Sequence, residues 1–524
     1  MSDQNTPTFH LGLVLAGAVS GGAYTAGVLD FLFEALDAFE AARQRPDCPN
    51  HQVRIHVMTG TSAGAMCVGL SLRALLEREL DESPLYEAWV KRISARQLLA
   101  LRDLESEKPV VSMLDSSVLD DIARDVLPEP KTPLSLPKYV SDPLSLGMCT
   151  AQTRGVPYSV GMVGSGCYEM RLHAAQRWFH VRGADRALPW WDDLRDTCIA
   201  SGAFPLGLAP RKLSIPRAEY EARQWIALGP EGPEVVQVRP SWPDEDPRFL
   251  SFHVDGGIFD NEPLELARAR LSNDPLQRNP REGDKASRAL IMVDPFLEVG
   301  VDPPPTGPLG LVEALPKLVA AMIQNARFKP SELLLALDET IYSRFVVAPR
   351  RTEGRASSEW ALASGVLGAF GGFLSEKFRN HDYRLGRRNC QEFLRRSFAL
   401  YASNPIVRDW SADAIRAHEF RDREGDTGPE RAFRPLIPLF GKAAVEVARP
   451  GWPQWTGDEE MALRRGLAER SDAVVGALVN QHATNPLVRL GLHAAWKLTG
   501  WAARARLMEI MNKELIERRL ALGR

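Results

Sequence analysis

Cysteine is scarce and unpatterned in this chain. Six occur in 524 residues (Cys48, Cys67, Cys149, Cys167, Cys198 and Cys390), with no CxxC pair and no metal-ligand spacing. That argues against a disulfide scaffold or a zinc site and for the reduced thiols of a cytosolic protein. No calcium-loop pattern occurs either, so no metal or other cofactor is expected. Charge of one sign is not in excess: 64 Lys and Arg against 67 Asp and Glu give a net charge of -3, which gives no sign of wholesale nucleic-acid binding, and no nucleic-acid partner is expected. The start, MSDQNTPTFH, lacks the basic, apolar and small-residue segments of a secretory signal. Apolar runs stay short of the roughly 20 residues that span a bilayer. The nearest is Trp360 to Leu374, fifteen residues rich in Gly and Ala, so any membrane contact is expected to be peripheral. No internal repeat and no low-complexity tract is present.

What is present is an alternation of strand and helix. Leu11 to Ala16 is a short apolar run that fits a buried strand, and it stops at a small-residue turn, Gly17 to Gly22. Val28, Leu29, Leu32, Phe33, Leu36 and Phe39 then recur at helical spacing. Val53 to Met58 reads as a second strand and Ala63 to Leu76 as a second helix. Two strands joined through a helix imply a βαβ unit and a mainly parallel sheet with helices on both faces. Further strands are expected at Leu146 to Ala151, Phe252 to Asp255 and Ala289 to Asp294. The stretch 211–248, rich in Pro, Glu and Arg, reads as an insertion or flap. VDPPPTGPLG (300–310 region) reads as a stiff connector between a catalytic domain, 1–299, and a mainly helical region, 311–524. In that region Leu311 to Ala326, Glu332 to Asp338 and Asp458 to Gln481 carry helical patterns.

The residues Gly60-Thr61-Ser62-Ala63-Gly64 form a GxSxG pattern directly after a strand and directly before a helix. A sharp strand-to-helix turn crowds the backbone, so small residues flank the serine and leave its hydroxyl exposed. The helix start also aims N–H groups at the same point, which favours an oxyanion. The alternative is a merely tight structural turn. A serine nucleophile needs a base. Of ten histidines only His253 has a telling context, two residues before Asp255 and on the same strand face. It is either a base or a strand histidine that supports the core. Asp255 ends an apolar strand and precedes Gly256 and Gly257, then Asn261 and Pro263. A carboxylate so placed sits at the rim where open α/β sheets bind ligands, or else caps the strand as an Asx turn.

In order along roughly the first 300 residues come LAGAVSGGAYTAGVL (Leu15 to Leu29), GTSAG (Gly60 to Gly64), SMLDSSVLDDI (Ser112 to Ile122), ASGAFP (Ala200 to Pro205) and DGGIFDNEP (Asp255 to Pro263). Together they resemble the patatin-like phospholipase family, related to cytosolic phospholipases of the Ser-Asp dyad type. HDYRLGRRNCQEFL (His381 to Leu394) resembles the C-terminal part of long bacterial members. The resemblance implies a three-layer α/β core and a cytoplasmic lipid acyl hydrolase acting on phospholipid or another acyl lipid. It implies Ser62 as nucleophile, Asp255 as its partner, and an oxyanion held by main-chain N–H groups of Gly17, Ala18 and Val19 with Ala63.

One departure stands out. The family's first loop reads as three glycines, a variable residue, a basic residue and a glycine; here Gly17-Ala18-Val19-Ser20-Gly21-Gly22 has lost two glycines and the cation. A β-branched Val19 would be strained at positive φ. Set against the family's pattern, this change is expected to bear on substrate class and rate more than on the reaction itself. Two rivals remain at this stage: a Ser-His esterase of α/β-hydrolase type using His253, and a catalytically silent binding or regulatory protein.

Two segments bear on an interface. Trp360 to Leu374 suits a lid or acyl-channel wall, or a core helix of the second region. Leu487 to Arg524 carries eight Lys and Arg against three Glu, with Trp496 and Trp501 among aliphatic residues. Such a stretch suits a lipid headgroup surface, or a solvated helix docked on its own protein. The oligomeric state is not legible.

Overall fold

The computed structural model describes residues 6–521, except 79, 105–108, 132–133, 163, 165, 297–317, 319–320, 322–325, 327–340, 354–355, 358–359 and 422–430. Its centre is an eight-stranded sheet. We label its strands β1 (Thr8–Leu15), β2 (Gln52–Thr61), β3 (Val140–Met162), β4 (Gly166–Val181), β5 (Arg211–Pro216), β6 (Arg248–Asp255), β7 (Arg288–Val293) and β8 (Arg344–Val347). The order is β8-β7-β1-β2-β3-β6-β5, with β4 on β3. From β8 to β3 all neighbours are parallel, whereas β4 and β6 run antiparallel to β3, and β5 antiparallel to β6. The mainly parallel sheet expected from the βαβ pattern is therefore present.

The helices that matter below are α1 (Gly22–Ala41), α2 (Ala63–Leu76), α3 (Ser117–Val126), α4 (Trp191–Ser201), α5 (Leu264–Ser272), α6 (Glu376–Arg396), α7 (Gly457–His482) and α8 (Pro486–Glu517). One face of the sheet is covered by α1 and α2. The other meets α5, where Leu264, Ala267 and Leu271 pack on Val14, Val57, Leu290 and Met292. Because β1 lies between two strands and two helical layers, Leu11 to Leu15 reads as an unbroken apolar run with no alternation except Gly12. The strand begins earlier than its apolar run, since Thr8 to His10 pair with Gln52 to Arg54.

The helical C-terminal region is part of the same core. Phe398 packs edge-on against Phe9 of β1 and Phe345 of β8. Helix α6 lies along α1, and the two backbones approach at glycines on each side. A Cβ on Gly27 would strike the Tyr383 carbonyl, and one on Gly386 the Tyr24 carbonyl. Helix α7 opens with a capping box, Thr456 and Glu459, and spans the helix expected at Asp458 to Gln481.

The structure differs from the sequence expectation in two stretches. The stretch 211–248 contains β5, an edge strand of the main sheet, besides a small two-stranded ribbon of Trp225–Gly229 and Gly232–Val236. Trp360 to Leu374 is not one helix. It is a 3-10 turn, Ala363–Gly365, followed by two short helical turns, Val366–Ala369 and Gly371–Leu374, broken at Leu367, Gly368 and Ala369, all at positive φ. The connector 300–310 and the helices expected at Leu311 to Ala326 and Glu332 to Asp338 lie outside the described residues, apart from 318, 321 and 326.

Gly27→Ala and Gly386→Ala should each lower stability by roughly 1–3 kcal/mol, the usual cost of overpacking a close contact. Chemical denaturation of the full chain reads it; an unchanged midpoint in both variants would show that the α1–α6 approach is looser than described.

Candidate active site

The long strand β3 explains how two distant segments meet. Its residues up to Cys149 pair with β2, whose last residue, Thr61, lies opposite Cys149. Along the same edge, running the other way, comes β6, whose last residue, Asp255, lies opposite Thr150. The opposite edge is taken by β4. Two strand ends thus converge on adjacent residues of a third strand. Ser62 follows Thr61 directly, and its Oγ donates a 2.6 Å hydrogen bond to Asp255 Oδ2 across 193 residues of sequence.

Ser62 adopts φ 54, ψ -125, and α2 starts at the next residue. This is the strained strand-to-helix elbow that the GxSxG spacing predicts. Its glycines are steric requirements: a Cβ on Gly60 would meet the Gly64 main chain, and one on Gly64 the Leu15 carbonyl. Gly256 has the same role beside the carboxylate, pressed on the Cys149 carbonyl. Ser201, at the end of α4, holds the elbow by accepting from Ser62 N at 2.8 Å and donating to the Cys149 carbonyl at 2.6 Å.

Asp255 is fixed on three sides. Its main-chain N–H donates to Ala203 O, its Oδ1 accepts from Gly257 N at 2.8 Å, and its Oδ2 accepts from Ser62. Burial pushes its carboxyl pKa up to about 6, against the opposing pull of the bonds from Ser62 and Gly257. His253 lies on the same strand face, yet its Nδ1 bonds Thr150 Oγ1 at 2.9 Å and its Nε2 has no partner among the described residues. Burial, reinforced by Arg177 and Arg223, drags its pKa down to about 4, so it is neutral at physiological pH.

The turn before α1 faces the same point. Val19 does take the positive φ, 46, that its sequence context forewarned. Gly17 N–H is already donated to Asn261 O, and Asn261 Nδ2 returns a bond to Gly17 O at 3.3 Å. Gly17 thereby anchors the turn, while the N–H groups of Ala18 and Val19 have no acceptor among the described residues. Ser20 Oγ ties the turn to the broken segment above: it donates to Ala369 O and accepts from Gly372 N at 2.9 Å. The loop after Asp255 is stitched across the strand ends as well, with Thr59 Oγ1 donating to Pro263 O and Thr61 Oγ1 to Asp260 O.

An apolar cavity opens between α2, α3 and α4, lined by Met66, Leu70, Trp89, Leu119, Cys198 and Ile199. Met66 stands one helical turn beyond Ser62, and its methyl group rests against Gly202. The roles of Ser201, Asn261 and Ser20 had no signal of their own in the sequence, although all three sit inside family-like segments, ASGAFP, DGGIFDNEP and LAGAVSGGAYTAGVL.

Comparison with known proteins agrees with the resemblance. The family model for patatin-like phospholipase matches residues 13–268. An uncharacterized protein of Sinorhizobium fredii, y4iI, is 34% identical over 94% of this chain and 79% of its own length. The crystal structure of VipD from Legionella pneumophila aligns over 94% of this chain and 80% of that one at 12% identity, with a TM-score of 0.24, too low to bear on the architecture.

The buried carboxylate has a measurable signature. With a folded-state pKa of about 6 against an ordinary 3.8, the stability tied to Asp255 is fully present below 3.8 and is lost as pH rises through about 6. Asp255→Asn should therefore be more stable than the parent at pH 8, by roughly 3 kcal/mol at most, and the gap should close by about pH 4. Denaturation midpoints at the two pH values test this; a variant less stable at pH 8 would mean the carboxylate is not desolvated.

Proposed function

Because the chain belongs to the patatin-like phospholipase family, we propose that it is a lipid acyl hydrolase that cleaves fatty-acyl esters through a Ser62–Asp255 dyad. The 2.6 Å bond from Ser62 Oγ to Asp255 Oδ2 carries this reading. Ser62 Oγ attacks the ester carbonyl carbon while its proton passes to Asp255 Oδ2. A carboxylate raised to about 6 is a stronger base than an ordinary aspartate and is still mostly ionised at neutral pH. The carbonyl oxygen becomes an oxyanion, received by the N–H groups of Ala18 and Val19 with help from Ala63 at the start of α2. As the tetrahedral intermediate collapses, the ester C–O bond breaks and Asp255 returns the proton to the departing alcohol. An acyl-Ser62 remains. Water, deprotonated by the same Asp255, attacks it and releases the fatty acid.

The apolar cavity that Met66 lines is about 50 Å³, too small for a fatty-acyl chain as it stands, so the acyl substrate rests on the family and the dyad and not on this cavity. His253 is not needed in this scheme. Its ring is neutral and bonded to Thr150.

Ser62→Ala and Asp255→Asn should each lower turnover of a chromogenic fatty-acid ester on the order of 10³-fold or more, whereas His253→Ala should stay near the parent rate. Retained activity in either dyad variant would refute the dyad, and a collapse in His253→Ala would favour the Ser-His rival. In the parent enzyme kcat/KM should rise with pH around a midpoint of about 6 as Asp255 loses its proton. A flat profile from pH 5 to pH 8 would exclude Asp255 as the titrating base. A fluorophosphonate should label Ser62 in the parent protein and not in Ser62→Ala.

A further inference from the structure

The C-terminal helical hairpin leaves one face of α8 uncovered. Its inner face packs on α7: Gly500 is buried, and Asp472 of α7 accepts from both Trp496 Nε1 at 2.7 Å and Arg504 at 2.6 Å. On the outer face Leu487 is 78% exposed, Leu490 68%, Leu498 74% and Trp501 64%. These four, with exposed Gly491 and Ala494 between them and exposed Ala502 and Ala505 beyond, follow three- and four-residue spacing and form one apolar stripe. Exposed leucines and a tryptophan aligned over about four turns are unusual on a surface that water alone must solvate.

Charge decides what covers the stripe. From Pro486 to Met508 the helix carries Arg489, Lys497, Arg504 and Arg506 and no Asp or Glu; Asp472 of α7 pairs with Arg504 and Glu509 with Arg506, so the four cations outnumber the two acids beside them by two. Two copies of this chain pairing stripe to stripe would bring like charges together. A surface of anionic headgroups would instead neutralise them while its acyl region accepts the leucines, and a tryptophan suits the boundary between the two. The hairpin also connects with the rim of the site. Val110 N donates to Gln481 Oε1 of α7, and Arg470 of α7 donates to Met113 O at 2.9 Å. Met113 N bonds Leu206 O, three residues beyond the Ala203 carbonyl that holds Asp255. Val111, Met113 and Leu206 are themselves exposed apolar side chains.

We propose that the outer face of α8 docks the protein on a lipid bilayer bearing anionic headgroups. The choice of partner rests on the acyl-lipid reading above; the surface itself does not. The test uses the full chain and vesicles of ether-linked lipids, which have no ester to cleave. One set is phosphatidylcholine alone and the other contains phosphatidylglycerol. The parent should co-sediment with the phosphatidylglycerol vesicles and less with the neutral ones. Leu490→Gln/Leu498→Gln/Trp501→Gln should lower that partition by about tenfold or more and leave turnover of a water-soluble short-chain ester unchanged. Lys497→Glu/Arg506→Glu, which alters no apolar contact, should remove the preference for phosphatidylglycerol. Absence of parent binding to either vesicle, or equal binding by the triple variant, overturns the proposal. So does a parent that is dimeric and a triple variant that is monomeric with vesicle binding unaltered, which would make the stripe a self-association surface. Binding that is intact in a protein without ester turnover would sink the hydrolase reading and leave the docking surface standing.

Discussion

One edge of β3 carries two strands end to end, and the site follows from that. Ladder hydrogen bonds fix Thr61 opposite Cys149 and Asp255 opposite Thr150. The separation of the residues beyond those ends is thus set by the rise of a single strand, about 3.3 Å per residue, and not by loop conformation. A hydroxyl and a carboxylate brought together this way need no flexible segment to meet. The cost lies in desolvation, because the carboxylate is held at the inner end of its strand with only hydrogen bonds to offset its charge. That same cost raises its basicity.

The second constraint is backbone strain. Ser62 and Val19 both hold positive φ without being glycine, a conformation worth roughly 1–3 kcal/mol each. Neither would persist unaided, and each has dedicated supports. Ser201 accepts the N–H of Ser62, and Asn261 clamps Gly17 from both its main chain and its side chain. The loss of glycines from the first turn has therefore not prevented the turn from adopting the left-handed residue it needs. The consequence is that its geometry depends on partners elsewhere in the chain.

What could be read from the sequence and what could not divide along physical lines. The first strand, the elbow and Asp255 were legible because buried parallel strands read as apolar runs and tight turns demand small residues. The full length of β3 and the whole of β4 were not. Gly166 to Arg171 on β4 is exposed and leaves no alternation to detect, and further along a buried Arg177 interrupts the apolar alternation of Ala175, Phe179 and Val181. Ser201, Asn261 and Ser20 act through pairs of hydrogen bonds at long sequence separation, and periodicity carries no trace of those. Trp360 to Leu374 misled for the opposite reason. Its hydrophobicity was real, with Ala363 and Val366 buried, but Gly365, Gly368, Gly371 and Gly372 permit breaks that an apolar count cannot see.

That broken segment shows why the C-terminal region cannot be regarded as an appendage. Leu367 and Ala369 are left-handed with side chains attached, so the kink must be held from outside. Glu514 of α8 does so on one side by accepting from Leu367 N at 2.7 Å, and Ser20 does so on the other through Ala369 and Gly372. Two strained turns, one before α1 and one between residues 366 and 370, therefore brace each other, and a carboxylate of α8 closes the chain of contacts. The α1–α6 glycine contact fixes the same two regions a few turns away. The turn that carries the Ala18 and Val19 N–H groups is consequently linked through these bonds to α8 as well as to the sheet beneath it.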